Sequence, residues 1–361
     1  MLGRLRKLFF PGNAAAPPPA ASQSEPAPPP EILVPGTHHR FALAGHMRDH
    51  LGFPLVDWDA VGAWVDHLDG DELCGRAWAA AEHAWLLHLR SALGPRYRLV
   101  QSDTAMLLSP LAANVAQATL DTMDRTLVRV IAVLDGIAAK SPWGKDILIV
   151  FATEEQYYDY VSHCYPATGE FAFSSGMFIA EGCAHFVTVQ SDLRAVEPVI
   201  AHEMTHACLA HLPIPLWLNE GLAVNTEHRL AGSQAAAHTA QEMRAKHLAF
   251  WGPEEIRAFW SGASFSRTDD GNMLSYDLAR ILVAEFAKDW PRFRQFVLEA
   301  NWQDAGAEAA RRHLGASLGS YAAALLEKEH PDEFEPVPAM SAARPAGAGA
   351  PEKMTEPTHV D

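Results

Sequence analysis

His202 and His206 stand four residues apart in the run Val199-Ile200-Ala201-His202-Glu203-Met204-Thr205-His206. On an α-helix such a pair projects from nearly the same face, so both imidazoles can reach one metal ion. Glu203 lies between them, turned off that line. Fourteen positions after His206, Glu220 falls in the run Trp217-Leu218-Asn219-Glu220-Gly221-Leu222-Ala223, which opens a second apolar-periodic helix. Catalytic zinc takes three protein ligands and keeps one position open, and two imidazoles with one carboxylate satisfy it. His202, His206 and Glu220 supply that set, so the sequence predicts a Zn2+ centre. Such a metal lowers the pKa of water towards neutrality, and a neighbouring carboxylate can take the proton as the water attacks a carbonyl carbon. Glu203 is placed to be that base. Cys208, two residues past His206, rotates to the far side of the helix and is excluded as a ligand.

The elements that must hold these residues follow from pattern. Pro213 and Pro215 end the first helix, and the turn lets the second fold back on it. Upstream, 97–100 and 105–108 read as short strands, and 111–138 as a long helix. The apolar run 146–152 is a strand ending at Thr153, which can cap a following helix. Two more strands are expected at 176–179 and 185–189, separated by Glu181-Gly182. Beyond 230 the pattern is helical, with candidates at 233–250, 253–260, 273–288, 291–299, 305–313 and 317–329. The predicted fold is α+β: a mixed sheet with helices, then an all-helical half. Its organisation is a basic N-terminus with a Pro/Ala-rich disordered linker (1–35), a helical segment (36–95), an α/β zinc-binding part (96–230), a helical part (231–332) and a disordered tail (333–361). A cleft between the two halves, floored by the metal helix, is the natural active site. Of the seven histidines in 36–95, only His46 and His50 share the four-residue spacing. No carboxylate or cysteine completes a motif there, so these read as surface or half-buried side chains.

Composition narrows the function. A chain of 361 residues with 48% hydrophobic content can bury a substantial core, and its net charge of −16 argues against a nucleic-acid partner. The four cysteines form no C-x-x-C pair and read as reduced thiols. Pro11 and Gly12 cut the apolar run of the first ten residues too early for an export signal. That basic, apolar decamer could touch an anionic membrane surface, although a solvated tail is the plainer reading. No segment has the ~20 consecutive apolar residues of a membrane span, and a cytoplasmic location is expected by default.

The segment Ala201-His202-Glu203-Met204-Thr205-His206, followed by Pro215-Leu216-Trp217-Leu218-Asn219-Glu220-Gly221-Leu222-Ala223, resembles the gluzincin zinc metallopeptidases. That group includes thermolysin and the large zinc aminopeptidases, and the match looks most like the smaller peptidase-MA-like proteins. The resemblance is sharp over 201–223 and loose over 95–330, and the gap between His206 and Glu220 is similar to that of the peptidase-MA-like group. It implies a thermolysin-like zincin catalytic domain, with His202, His206 and Glu220 as zinc ligands, Glu203 as general base and a peptide or protein as substrate. It also implies an aromatic residue after serine in the helical half, near the oxyanion, which Tyr276 matches; an aromatic commonly found four residues earlier is replaced by Asn272. The strand at 174–178 is expected at a sheet edge above the zinc. A zinc-containing scaffold or peptide-binding protein without turnover remains the alternative, as does a metal-free helical module acting through its proline-rich tails.

Overall fold

The computed structural model describes residues 27–164, 176–179, 182–232 and 238–337. The basic decamer, Ser174, Ser175, Glu181, the first residues of the helix expected at 233 and the tail beyond 337 lie outside them.

The N-terminal segment departs from the expected helical run by opening with two hairpins. β1 (Ile32–Leu33) pairs antiparallel with β2 (Arg40–Phe41), and β3 (Met47–His50) with β4 (Phe53–Val56). Between β3 and β4, Leu51 and Gly52 both take positive φ, 51° and 87°, as a two-residue primed turn requires. Leu is not a usual residue for such a turn, which hides the hairpin from pattern reading. His50 therefore ends a strand, so its spacing from His46 is not that of one helix face. Ile32 and Val34, in the stretch read as linker, are buried. α1 (Trp58–Val65) and α2 (Asp71–Leu93) follow and cover these hairpins.

A five-stranded mixed sheet forms the centre. Its strands are β5 (Arg98–Gln101), β6 (Ala105–Ser109), β7 (Asp146–Phe151), β8 (Gly176–Ile179) and β9 (His185–Val189), in the order β5-β6-β7-β9-β8. β6, β7 and β9 run parallel, and the two edge strands are antiparallel to their neighbours. The central strands are buried on both faces, which is why they read as continuous apolar runs rather than alternating ones. One face, including Met106, Ile147, Ile149 and Val187, packs on α2 and on α4 (Glu154–Val161), where Thr153 caps as expected by accepting from Gln156 N–H. The other face, including Leu107, Leu148, Val150 and Phe186, packs on α3 (Ala113–Val133) and α5 (Leu193–Leu209).

The chain leaves β9 into α5, turns through Pro213 and Pro215, and continues as α6 (Leu216–Ala231). The rest is helical: α7 (Ala240–Phe250), α8 (Pro253–Trp260), α9 (Asp270–Phe286), α10 (Trp290–Glu299), α11 (Ala307–His313) and α12 (Leu318–Leu325). The resulting architecture is α+β, a sheet-containing half followed by a mainly helical one. Among the described residues no helix is long and apolar enough to cross a membrane.

α6 joins the halves. Its Trp217 is fully buried, donates from its indole N–H to Ala305 O at 3.0 Å, and packs among Phe259, Trp260 and Phe296. Gly221 lets α9 approach closely. A Cβ there would fall 2.6 Å from both Ala279 O and Val283 Cγ2, well inside van der Waals contact. Replacing Gly221 with Ala must therefore push the helices apart, and overpacking of this kind costs about 1–3 kcal/mol. Thermal unfolding of Gly221→Ala should show a clear fall in Tm; an unchanged Tm would mean that the two helices have room for a methyl group between them.

Candidate metal centre

The helix spacing anticipated from the sequence brings His202 and His206 together on α5, with ring centroids 4.8 Å apart. Glu220, from the first turns of α6, meets them from the facing helix. Its Oε2 lies 3.3 Å from His202 Nε2 and 3.5 Å from His206 Nε2. The three ligand atoms lie within 4.8 Å of one another, and among the described residues they form the one group of three suited to holding a metal ion. Cys208 is buried in the core and takes no part. His50, whose Nε2 pairs with Ser162 Oγ at 3.1 Å, likewise belongs to no such group.

The far side of each imidazole is held. His202 Nδ1 lies 3.1 Å from Glu227 Oε2, and His206 Nδ1 lies 3.0 Å from Asn219 Oδ1. An ionised Glu227 can only accept, so Nδ1 of His202 is the donor in that contact and Nε2 is the atom turned to Glu220. Metal-binding histidines are oriented by this kind of partner. Glu220 is 9% exposed, and its Oε2, the atom on which both Nε2 atoms converge, has no hydrogen-bond partner. A buried charged oxygen left unpaired costs more than about 1–3 kcal/mol. A cation between the three atoms removes that cost, so the group suits a metal ion.

The charges respond to this crowding. Burial opposes a proton on His202, but the facing Glu220 carboxylate and the hydrogen bond to Glu227 prevail and hold its pKa well above 6.5. His206 is shifted upward as well, burial being outweighed by Glu220. Glu220 would be raised by burial, yet the two imidazoles bring it far below the carboxylate range. Glu203, 6% exposed, goes the other way: burial raises its pKa, and Glu220 and Glu227 add to the rise against the lowering by both histidines. In the metal-free protein, protons thus stand where a cation would.

Two further side chains border the centre. Phe178 on β8, the edge strand beside α5, places its ring 6.5 Å from that of His206. Tyr276 on α9 lies within electrostatic reach of Glu220 and Glu203. Its hydroxyl pKa is raised well above 10, first by Glu220, then by burial, then by Glu203, so it stays a neutral donor. Its ring packs edge-on against Phe265, 5.1 Å between centroids. Asn272 donates to Phe265 O and so anchors the ring on which Tyr276 rests.

The sequence reading missed Asn219 and Glu227. Asn219 directly precedes Glu220, and Glu227 follows it by seven residues, about two helical turns, which puts both carboxylates on one face of α6. Compared with protein-family models and with curated proteins, the chain matches none.

Glu227→Gln keeps the shape but weakens the hold on His202, so zinc affinity should fall about 10–100-fold. Chelator competition measures this, and wild-type affinity would contradict the role. The pH dependence has a definite sign. The raised histidines stabilise the metal-free fold fully below 6.5, the unfolded value, and that contribution fades as pH rises through their folded values. Coordination requires neutral imidazole, so zinc affinity should increase over the same rise in pH.

Proposed function

We propose that the protein is a zinc-dependent hydrolase of the metallopeptidase kind. The observation that carries this reading is the convergence of His202 and His206 on the buried Oε2 of Glu220, with Glu203 on the helix that carries both histidines. When bound, zinc supplies Lewis acidity: it makes water a nucleophile near neutral pH and polarises a carbonyl.

The chain's own residues do the rest. Glu203 neighbours His202 in sequence but is not one of the three converging side chains, so its carboxylate is available to take a proton. Its burial raises its pKa, which strengthens it as a base and lets it return the proton to the departing amine. The Tyr276 hydroxyl, kept neutral, donates a hydrogen bond to the oxygen that gains charge when the carbonyl is attacked. A donor of that kind is worth about 2.7–4 kcal/mol in comparable sites. Glu227 and Asn219 hold the imidazoles, and β8, last in the order of the described strands, is the kind of sheet edge that can receive an extended peptide. The substrate is accordingly a peptide or protein, and the metal is zinc because two imidazoles and one carboxylate leave it an open position.

Incubation with a mixed peptide library, read by mass spectrometry, tests the reading. Glu203→Gln should keep one zinc per chain and lose cleavage by about 10²–10⁴-fold, the usual worth of a general base. Identical cleavage by wild type and variant would overturn the role of Glu203. Zinc without any cleavage by the wild type would favour a scaffold.

A further inference from the structure

Asn225 stands five residues after Glu220 on α6, one turn beyond Gly221. Its Nδ2 donates twice: to Gly221 O on its own helix at 2.7 Å and to Arg280 O on α9 at 2.9 Å. Arg280 follows Tyr276 by one turn. The two carbonyls therefore belong to the two helices that carry Glu220 and Tyr276, at matching heights. A carboxamide has two N–H groups in one plane and no charge, so it can bridge two buried carbonyls; neither Asp nor Leu of similar volume can.

The opposite side of α9 is fixed independently. Asp277, next to Tyr276, takes Nε and Nη2 of Arg280 on Oδ1 at 2.9 and 2.7 Å, while its Oδ2 lies 2.9 Å from His247 Nε2. His247 Nδ1 accepts the indole N–H of Trp251 at 2.8 Å, tying α9 to the end of α7. With that side held, the contact between α6 and α9 depends on Gly221, which permits the approach, and on Asn225, which sets its register. Apolar side chains such as Val283 and Ala279 fill the rest of the interface but can slide.

We propose that Asn225 is a positioning residue that fixes the Tyr276 hydroxyl relative to Glu220. The inference rests on the reading of Tyr276 as the oxyanion donor. Asn225 touches neither substrate nor metal, and acts only through the register of the two helices.

The test is a double-mutant cycle on the full chain, using a fluorogenic peptide chosen from those the wild type cleaves. kcat, KM and the zinc Kd are measured for wild type, Asn225→Ala, Tyr276→Phe and the double variant. Asn225→Ala should lower kcat about tenfold with KM and zinc Kd within about twofold, and should add nothing once Tyr276 is Phe, because residues acting through one contact are non-additive. Asn225→Asp keeps the volume but sets carboxylate oxygen against two carbonyls, and should be at least as harmful. It also carries the cycle if the Ala variant fails to fold. Additive losses, or an Asp variant with wild-type kcat, would overturn the inference. A wild type with no turnover removes the catalytic reading and this inference together, whereas turnover with an additive cycle removes the inference alone.

Discussion

Two imidazole nitrogens and one carboxylate oxygen converge in a buried space where the oxygen has no hydrogen-bond partner. That arrangement is costly unless something positive occupies its centre, and protons or a metal ion are the available choices. Much of the surrounding structure can be understood as keeping the three atoms from relaxing apart. Glu227 and Asn219 hold the outer nitrogens, so neither ring can turn away. α5 is packed on the sheet and α3, and α6 is nailed to the helical half by Trp217, so neither helix can withdraw.

The sheet and the helical half serve this centre differently. The parallel strands β6, β7 and β9 are buried on both faces and give α5 a rigid floor. Edge strand β8 has β9 as its one neighbour among the described strands and brings Phe178 next to His206. Among the described residues the helical half adds nothing to the group of His202, His206 and Glu220. It supplies Tyr276, carried in because Gly221 lets α9 come within contact of the α6 backbone. One glycine beside Glu220 thus brings the candidate metal centre and the helical half into contact.

Much of this was legible in the residues, for physical reasons that differ by element. The pairing of His202 with His206 was readable because helix periodicity converts a spacing of four into a shared face. The central strands were readable because burial on both faces leaves an unbroken apolar run, and Thr153 because a threonine oxygen after such a run can cap the next helix. The hairpin at Leu51-Gly52 was hidden, since leucine rarely takes positive φ. Ile32 and Val34 were hidden by the proline and alanine around them. Asn219 and Glu227 lay in plain view on α6, but a hydrogen bond to an imidazole leaves no periodic mark. Asn225 is less readable still, because its second acceptor, Arg280 O, is a backbone atom 55 residues away.

The central claim is that a zinc ion belongs between His202, His206 and Glu220. Anomalous diffraction from crystals of the protein grown with zinc, collected on either side of the zinc absorption edge, tests it without reference to any activity. The account predicts a single strong peak about 2.0–2.2 Å from both Nε2 atoms and a Glu220 carboxylate oxygen, the distances zinc takes to such ligands. A map with no peak there, or with the metal bound by other residues while these three keep their places, would contradict it.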